Sequence, residues 1–113
     1  MFKAGDVVVV DFPGVGGIKR RPAVVLSSEI YHSVRPDMIV SLITSQTAGA
    51  IELTDYALLD WSAAGLKLPS ASRAFLATIP RPSDTARIGR LSERDWQAVR
   101  QRLKSALTDL EEV

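Results

Sequence analysis

Short β-branched and aliphatic runs, broken by Gly, Pro and polar clusters, fill most of this chain; a helical period appears only near its end. Residues 7–12 (Val-Val-Val-Val-Asp-Phe) lie between Gly5 and Pro13 and read as a strand. Residues 23–26 (Ala-Val-Val-Leu) show no alternation, which predicts a second strand buried on both faces. Between them lies a glycine-rich loop, Pro13-Gly14-Val15-Gly16-Gly17-Ile18, closed by Lys19, Arg20 and Arg21. Residues 27–37 form a polar connection containing Tyr31, His32, Arg35 and Pro36. Residues 38–44 read as a third strand and residues 45–50 as a small polar loop. Residues 51–53 suit a short strand before a Thr54-Asp55 turn. Residues 60–66 suit one helical turn ended by Gly65, with Trp61 as its core anchor. Residues 73–79 predict a further strand, 80–84 a turn, and 86–91 a last short strand.

Ser92 opens the one extended helix. Ser92-Glu93-Arg94-Asp95 is close to a capping box, with Asp in the place of the usual Glu or Gln. Glu93 and Asp95 suit the positive end of the helix dipole. Trp96, Val99, Leu103, Leu107 and Leu110 recur at helical spacing and mark a core-facing stripe. Arg94, Arg100, Arg102 and Lys104 lie largely off it. Many short strands followed by one helix predict a small, mainly β barrel with a C-terminal α-helix packed on it, an α+β chain. No repeat or linker divides it, so one domain over 1–113 is expected.

Composition narrows the chemistry. The 113 residues carry a formal net charge of only +1, so any nucleic-acid site must be local. There is no cysteine, which removes disulfide and thiolate chemistry. One histidine cannot build a histidine-rich metal site or a two-histidine acid–base pair. No apolar run reaches the ~18 residues of a membrane helix, and Asp6 interrupts the N-terminal apolar stretch. A soluble cytoplasmic protein is the default expectation.

Four places could carry function, and each has a plainer reading. Lys19-Arg20-Arg21 is either a charged rim that discourages edge pairing or a phosphate clamp. Pro22 biases Arg21 toward extended backbone, which would fix a guanidinium beside the glycine-rich loop. Thr44-Ser45-Gln46-Thr47 is either a strand-end turn or a hydroxyl cluster that meets a phosphate. Pairing of the second and third strands would bring Thr44 near Arg21. Arg73 is either an outward strand residue or a second phosphate contact. Arg81, Arg87 and Arg90 read as solvated turn charges. His32, with no evident partner, suits a surface or RNA contact better than catalysis.

These residues also resemble a known family. Gly5-Asp6-Val7-Val8-Val9-Val10-Asp11-Phe12-Pro13, Lys19 with Arg21-Pro22-Ala23-Val24-Val25-Leu26-Ser27, and Ile43-Thr44-Ser45-Gln46 are similar to blocks of the MazF/PemK toxins of bacterial toxin–antitoxin modules. Trp61, Ala64-Gly65-Leu66 and Pro69-Ser70 resemble the middle segment of that family. Thr78-Ile79 and Ile88-Gly89-Arg90-Leu91-Ser92 with Asp95 resemble its C-terminal part. The match is collinear over nearly the whole chain.

The resemblance implies an SH3-like β-barrel of the MazF/PemK (Kid/CcdB-like) type, usually a homodimer. It implies a metal-independent, cofactor-free endoribonuclease that cuts single-stranded mRNA at short sequences and is held in check by a cognate antitoxin. The substrate's own 2′-hydroxyl attacks the adjacent phosphorus, leaving 2′,3′-cyclic phosphate and 5′-hydroxyl ends. Arg21 and Thr44 match the catalytic pair. Lys19, Arg20, Ser45, Gln46 and Arg73 are the candidate substrate-binding residues. Some PemK-type members carry an aspartate two residues after the arginine matched by Arg73, and Phe75 stands there in this chain. Nor does the chain match a histidine that some members carry in the first loop. The alternative reading is a barrel that binds RNA or an antitoxin without cutting.

Overall fold

The four valines of residues 7–10 start a strand too apolar to leave either face in water. In the computed structural model, which describes residues 2–14, 16–47, 51–80 and 85–109, both faces are covered. The elements run β1 (Asp6–Gly14), β2 (Gly17–Val25), α1 (Glu29–Val34), β3 (Asp37–Thr44), β4 (Tyr56–Ala57), β5 (Ala71–Pro80), β6 (Ala86–Arg90) and α2 (Glu93–Leu107). The strands form one antiparallel six-stranded sheet in the order β4-β5-β3-β2-β1-β6. It curls into a half-barrel backed by α2.

Strand parity divides the core. Val7, Val24 and Ile43 face α2 and pack with Val99, Leu103, Leu91 and Leu58. Val8, Val10, Phe12, Ala23, Val25, Met38, Val40 and Ile79 form a second cluster. Residues 23–25 are all buried, as their unbroken apolar run predicts. Trp61 packs against the first cluster from a single helical turn. That turn closes with Leu66 N–H on the Trp61 carbonyl, and Gly65 takes φ +91°.

Gly65 does more than end a turn. A Cβ on Gly65 would collide with the Ile88 carbonyl, and one on Gly89 with the Ala64 carbonyl. The two glycines let the turn and β6 touch backbone to backbone. Gly65→Ala is therefore expected to lose about 3 kcal/mol of stability through overpacking and left-handed strain, read from urea unfolding.

Several local expectations change. The hairpin loop contracts, because β1 and β2 pair as far as Gly14 opposite Gly17. Lys19, Arg20 and Arg21 thus lie inside β2 rather than at the end of a loop. The 27–37 connection contains α1, with Ser28 as its N-cap and Arg35 before Pro36 at its end. Residues 51–53 form no strand, and Leu53 is exposed. Tyr56–Ala57 pair with β5 instead, opposite Ser72 and Ala71. Val99 and Leu103 of the helical stripe are buried, Trp96 is half-buried and Leu107 is exposed. Leu110 lies outside the described residues, as do Arg81 and most of the 80–84 turn. Arg87 and Arg90 are not merely solvated: both pair with the buried Asp6, at 3.2 and 3.1 Å.

Candidate functional site

The inner face of the sheet changes character along its strands. Following every second residue of β2 inward, Lys19 and Arg21 lead to Ala23 and Val25; along β3, Thr44 and Leu42 lead to Val40 and Met38. The apolar end of this face is core. The other end is a cleft of about 290 Å³ lined by Lys19, Arg21, Thr44, Gln46, Arg73 and Phe75, with Phe12 and Leu42 among its apolar walls.

Pro22 explains why a cleft opens there. The β2–β3 ladder runs from Val25↔Val40 to Ala23↔Leu42 and ends. Pro22 has no N–H to carry it further. Two more residues in the same register would set Arg21 opposite Thr44, so the pair stands at the mouth where the strands part. A smaller cleft of about 220 Å³ adjoins it, and Arg21, Thr44 and Gln46 line both.

β5 supplies the far wall through an irregularity. Its register against β3 shifts between Ser41 and Ile43, where Ser41 pairs with Leu76 but Ile43 pairs with Ser72. Two residues more of β5 than of β3 therefore lie in this interval, a bulge that bends the strand. The fully buried Ser41 hydroxyl donates to the Arg73 carbonyl and anchors it. Arg73 donates from Nη2 to the Gln46 carbonyl at 3.3 Å, while its Nε is buried and has no hydrogen-bond partner among the described residues. Thr44 Oγ1 accepts the Gln46 N–H at 3.1 Å, which leaves the hydroxyl proton free to donate.

The sequence candidates thus separate. Lys19, Arg21, Thr44, Gln46 and Arg73 come together. Ser45 lines only the adjoining cleft. Arg20 does not join them: strand alternation turns it to the opposite face, where Nη1 lies 3.4 Å from Asp11. His32 is not a cleft residue either. Its Nε2 lies 2.6 Å from the buried Ser27 hydroxyl, which also accepts the Ile39 N–H, so it ties α1 to β2 and β3. Phe12, Leu42 and Phe75 join the site without having been singled out as binding residues; parity alone could have found the first two. Arg102 and Arg100 stack on Tyr56 and Trp96, away from the cleft.

No carboxylate, imidazole or thiol is among the cleft's described lining residues, and its cations are Lys19, Arg21 and Arg73. No group of three or more His, Asp or Glu among the described residues could hold a metal ion. No described helix is long and apolar enough to cross a membrane. A small helix-backed half-barrel thus carries a cleft whose charged lining is cationic, and guanidinium forks beside a hydroxyl match the geometry of a phosphate.

A family model for PemK-like, MazF-like toxins of type II toxin–antitoxin systems matches residues 3–107. The chain belongs to that family, a family of MazF-like endoribonucleases. Among solved structures, MazF from Deinococcus radiodurans is 25% identical with a TM-score of 0.72, covering 93% of this chain and 94% of that one. The Deinococcus MazE–MazF complex is 24% identical with a TM-score of 0.69, covering 93% of both chains. A mycobacterial endoribonuclease in complex with its cognate antitoxin is 17% identical with a TM-score of 0.76, covering 95% of both. At these identities the likeness to the last two shows the fold. No curated protein sequence matches significantly.

Proposed function

We propose that this chain is a toxin that cuts single-stranded RNA at short sequences, using the substrate's 2′-hydroxyl as nucleophile and no metal ion. The carrying observation is the convergence of Arg21, Thr44 and Arg73 on one cleft with no carboxylate among its described lining residues. In-line attack of the 2′-oxygen forms the bond to phosphorus while the bond to the 5′-oxygen breaks. The 2′-proton leaves to solvent, and the 5′-oxygen takes a proton from water. Negative charge builds on the non-bridging oxygens in between. Arg21 faces that charge with fixed donors, Thr44 donates its free proton to the same group, and Arg73 and Lys19 hold the flanking backbone. The products carry 2′,3′-cyclic phosphate and 5′-hydroxyl ends.

The same reading assigns a homodimer in the cytoplasm and a cognate antitoxin as partner. Two relatives of this fold are described with MazE or a cognate antitoxin. A cleft whose described lining holds three cations and no acid favours an acidic segment as the blocking element.

The test is incubation of a long unstructured RNA with the purified protein in excess EDTA, with product 5′ ends mapped. Discrete cuts bearing 5′-hydroxyl ends, with DNA left intact, are expected. Folded protein that binds RNA in a salt-dependent way but never cuts it would select the non-catalytic barrel instead. Phe75, in place of an acid, would then be the reason.

A further inference from the structure

Phe75 is open to solvent by 56%, yet it lines a cleft shared with Lys19, Arg21 and Arg73. Ala77 and Ile79, two and four residues away on the same strand parity, pack against the inner core and into it, respectively. A regular β5 would continue that series and lay Phe75 over Leu42. The bulge anchored by Ser41 interrupts the ladder at this point. The ring lines the cleft wall, which Leu42 and the buried Phe12 also line. Full burial of a phenylalanine side chain stabilises by roughly 1.5–3 kcal/mol, and here much of that surface is still in water.

The arrangement is a flat apolar face two residues from Arg73 and across from Arg21 and Lys19. A nucleotide has the matching shape: a planar base joined through its sugar to a phosphate. Aromatic faces accept unstacked bases of any identity, and a base held in a duplex could not present its face. A cleft of about 290 Å³ is at the lower edge of small-ligand sites, which suits one splayed nucleotide.

We propose that Phe75 is a stacking platform for the base of a nucleotide flanking the phosphate held by Arg21, so that the cleft selects single strands by demanding an unpaired base. This rests on the RNA reading of the cleft given above. Phe75 binds and positions; it transfers no proton.

The experiment measures affinity of the full chain for a short 2′-O-methyl RNA, which has no free 2′-hydroxyl to react, carrying a mapped cleavage sequence. A parallel series replaces one nucleotide at a time with an abasic residue. Phe75→Ala is expected to weaken binding about tenfold to a hundredfold, and Phe75→Tyr to stay within about twofold. At one position beside the cut, the abasic probe should weaken the parent to the level of Phe75→Ala and leave that variant unaffected. Arg21→Ala should weaken every probe and reduce the salt dependence by about one ion. If Phe75→Ala binds like the parent while Arg21→Ala is weakened, the platform is overturned and the nuclease reading stands. If neither substitution matters, both fall. A loss in Phe75→Ala that is equal at every abasic position, or that comes with a changed sedimentation mass, also overturns the platform.

Discussion

Arg21→Ala is expected to lower the single-turnover rate of RNA cleavage by about 100-fold or more while the protein stays folded. The guanidinium is exposed at the end of the β2–β3 ladder, so its removal opens no cavity in the core. Its loss is felt when the phosphorus carries most charge, so the rate should fall more than the affinity. Arg21→Lys keeps one charge but not the planar fork, and an intermediate loss is expected. Arg20→Ala is the control. Arg20 sits one residue away on the opposite face, in a solvent-exposed pair with Asp11 worth less than about 1 kcal/mol, and its removal should leave the rate within about twofold. Equal loss from both substitutions would mean that net charge, not the position of Arg21, drives cleavage. Urea unfolding of each variant separates lost chemistry from lost fold.

Asp95→Ala is expected to destabilise the chain by about 3 kcal/mol or more, a large part of the 5–15 kcal/mol available to a domain of this size. Asp95 is fully buried in the first turn of α2. Its Oδ1 accepts the Tyr56 hydroxyl at 2.8 Å and the Leu59 N–H at 3.1 Å, and its Oδ2 accepts the Asp60 N–H at 2.8 Å. Alanine would remove the one acceptor these three donors share and leave a hole where the fully buried carboxyl stood, at a junction that is itself only partly buried. Burial and the bond to Asp95 push the Tyr56 phenol up to about 12. Next to this knot, Arg94 grips Asp60 with two bonds of 2.7 Å, and Ser92 adds another, holding the Asp60 carboxyl at about 2. Tyr56→Phe removes a single donor and should cost only about 1 kcal/mol. Thermal or urea melts of the two variants side by side check the ranking. If Asp95→Ala unfolds no more easily than Tyr56→Phe, the buried carboxyl is not the organiser of the segment 55–60.

Asp95 also shows where local reasoning stops. Its place after Ser92 predicts a capping box, and half of one forms: Ser92 Oγ accepts the Asp95 N–H at 3.3 Å. The carboxyl does not return to the Ser92 backbone. It turns to a segment 35 to 39 residues earlier in the chain. No spacing near Asp95 announces that choice. His32 is similar, because its partner Ser27 faces it only after α1 has formed. The short α1 and the two-residue β4 carry too few periodic positions to show in a pattern. Residues 51–53 were apolar enough for a strand, but the register of β5 places Tyr56 and Ala57 beside it instead.

The strands at 7–12 and 23–26, the long capped helix, and the break at Pro22 beside Arg21 were legible in the residues themselves. Each depends on side-chain period or on one residue's backbone limits, which act within a few positions. The tertiary fold settled that Arg73 meets Lys19 and Arg21 in one cleft, that Arg73 and Phe75 lie where β5 bulges, and that Asp95 serves a distant loop. Those outcomes follow from how sheet register, helix packing and buried hydrogen bonds are satisfied together. The buried Ser41 hydroxyl needs an acceptor and finds it in the Arg73 carbonyl, a bond that holds β5 where it bulges at the cleft wall.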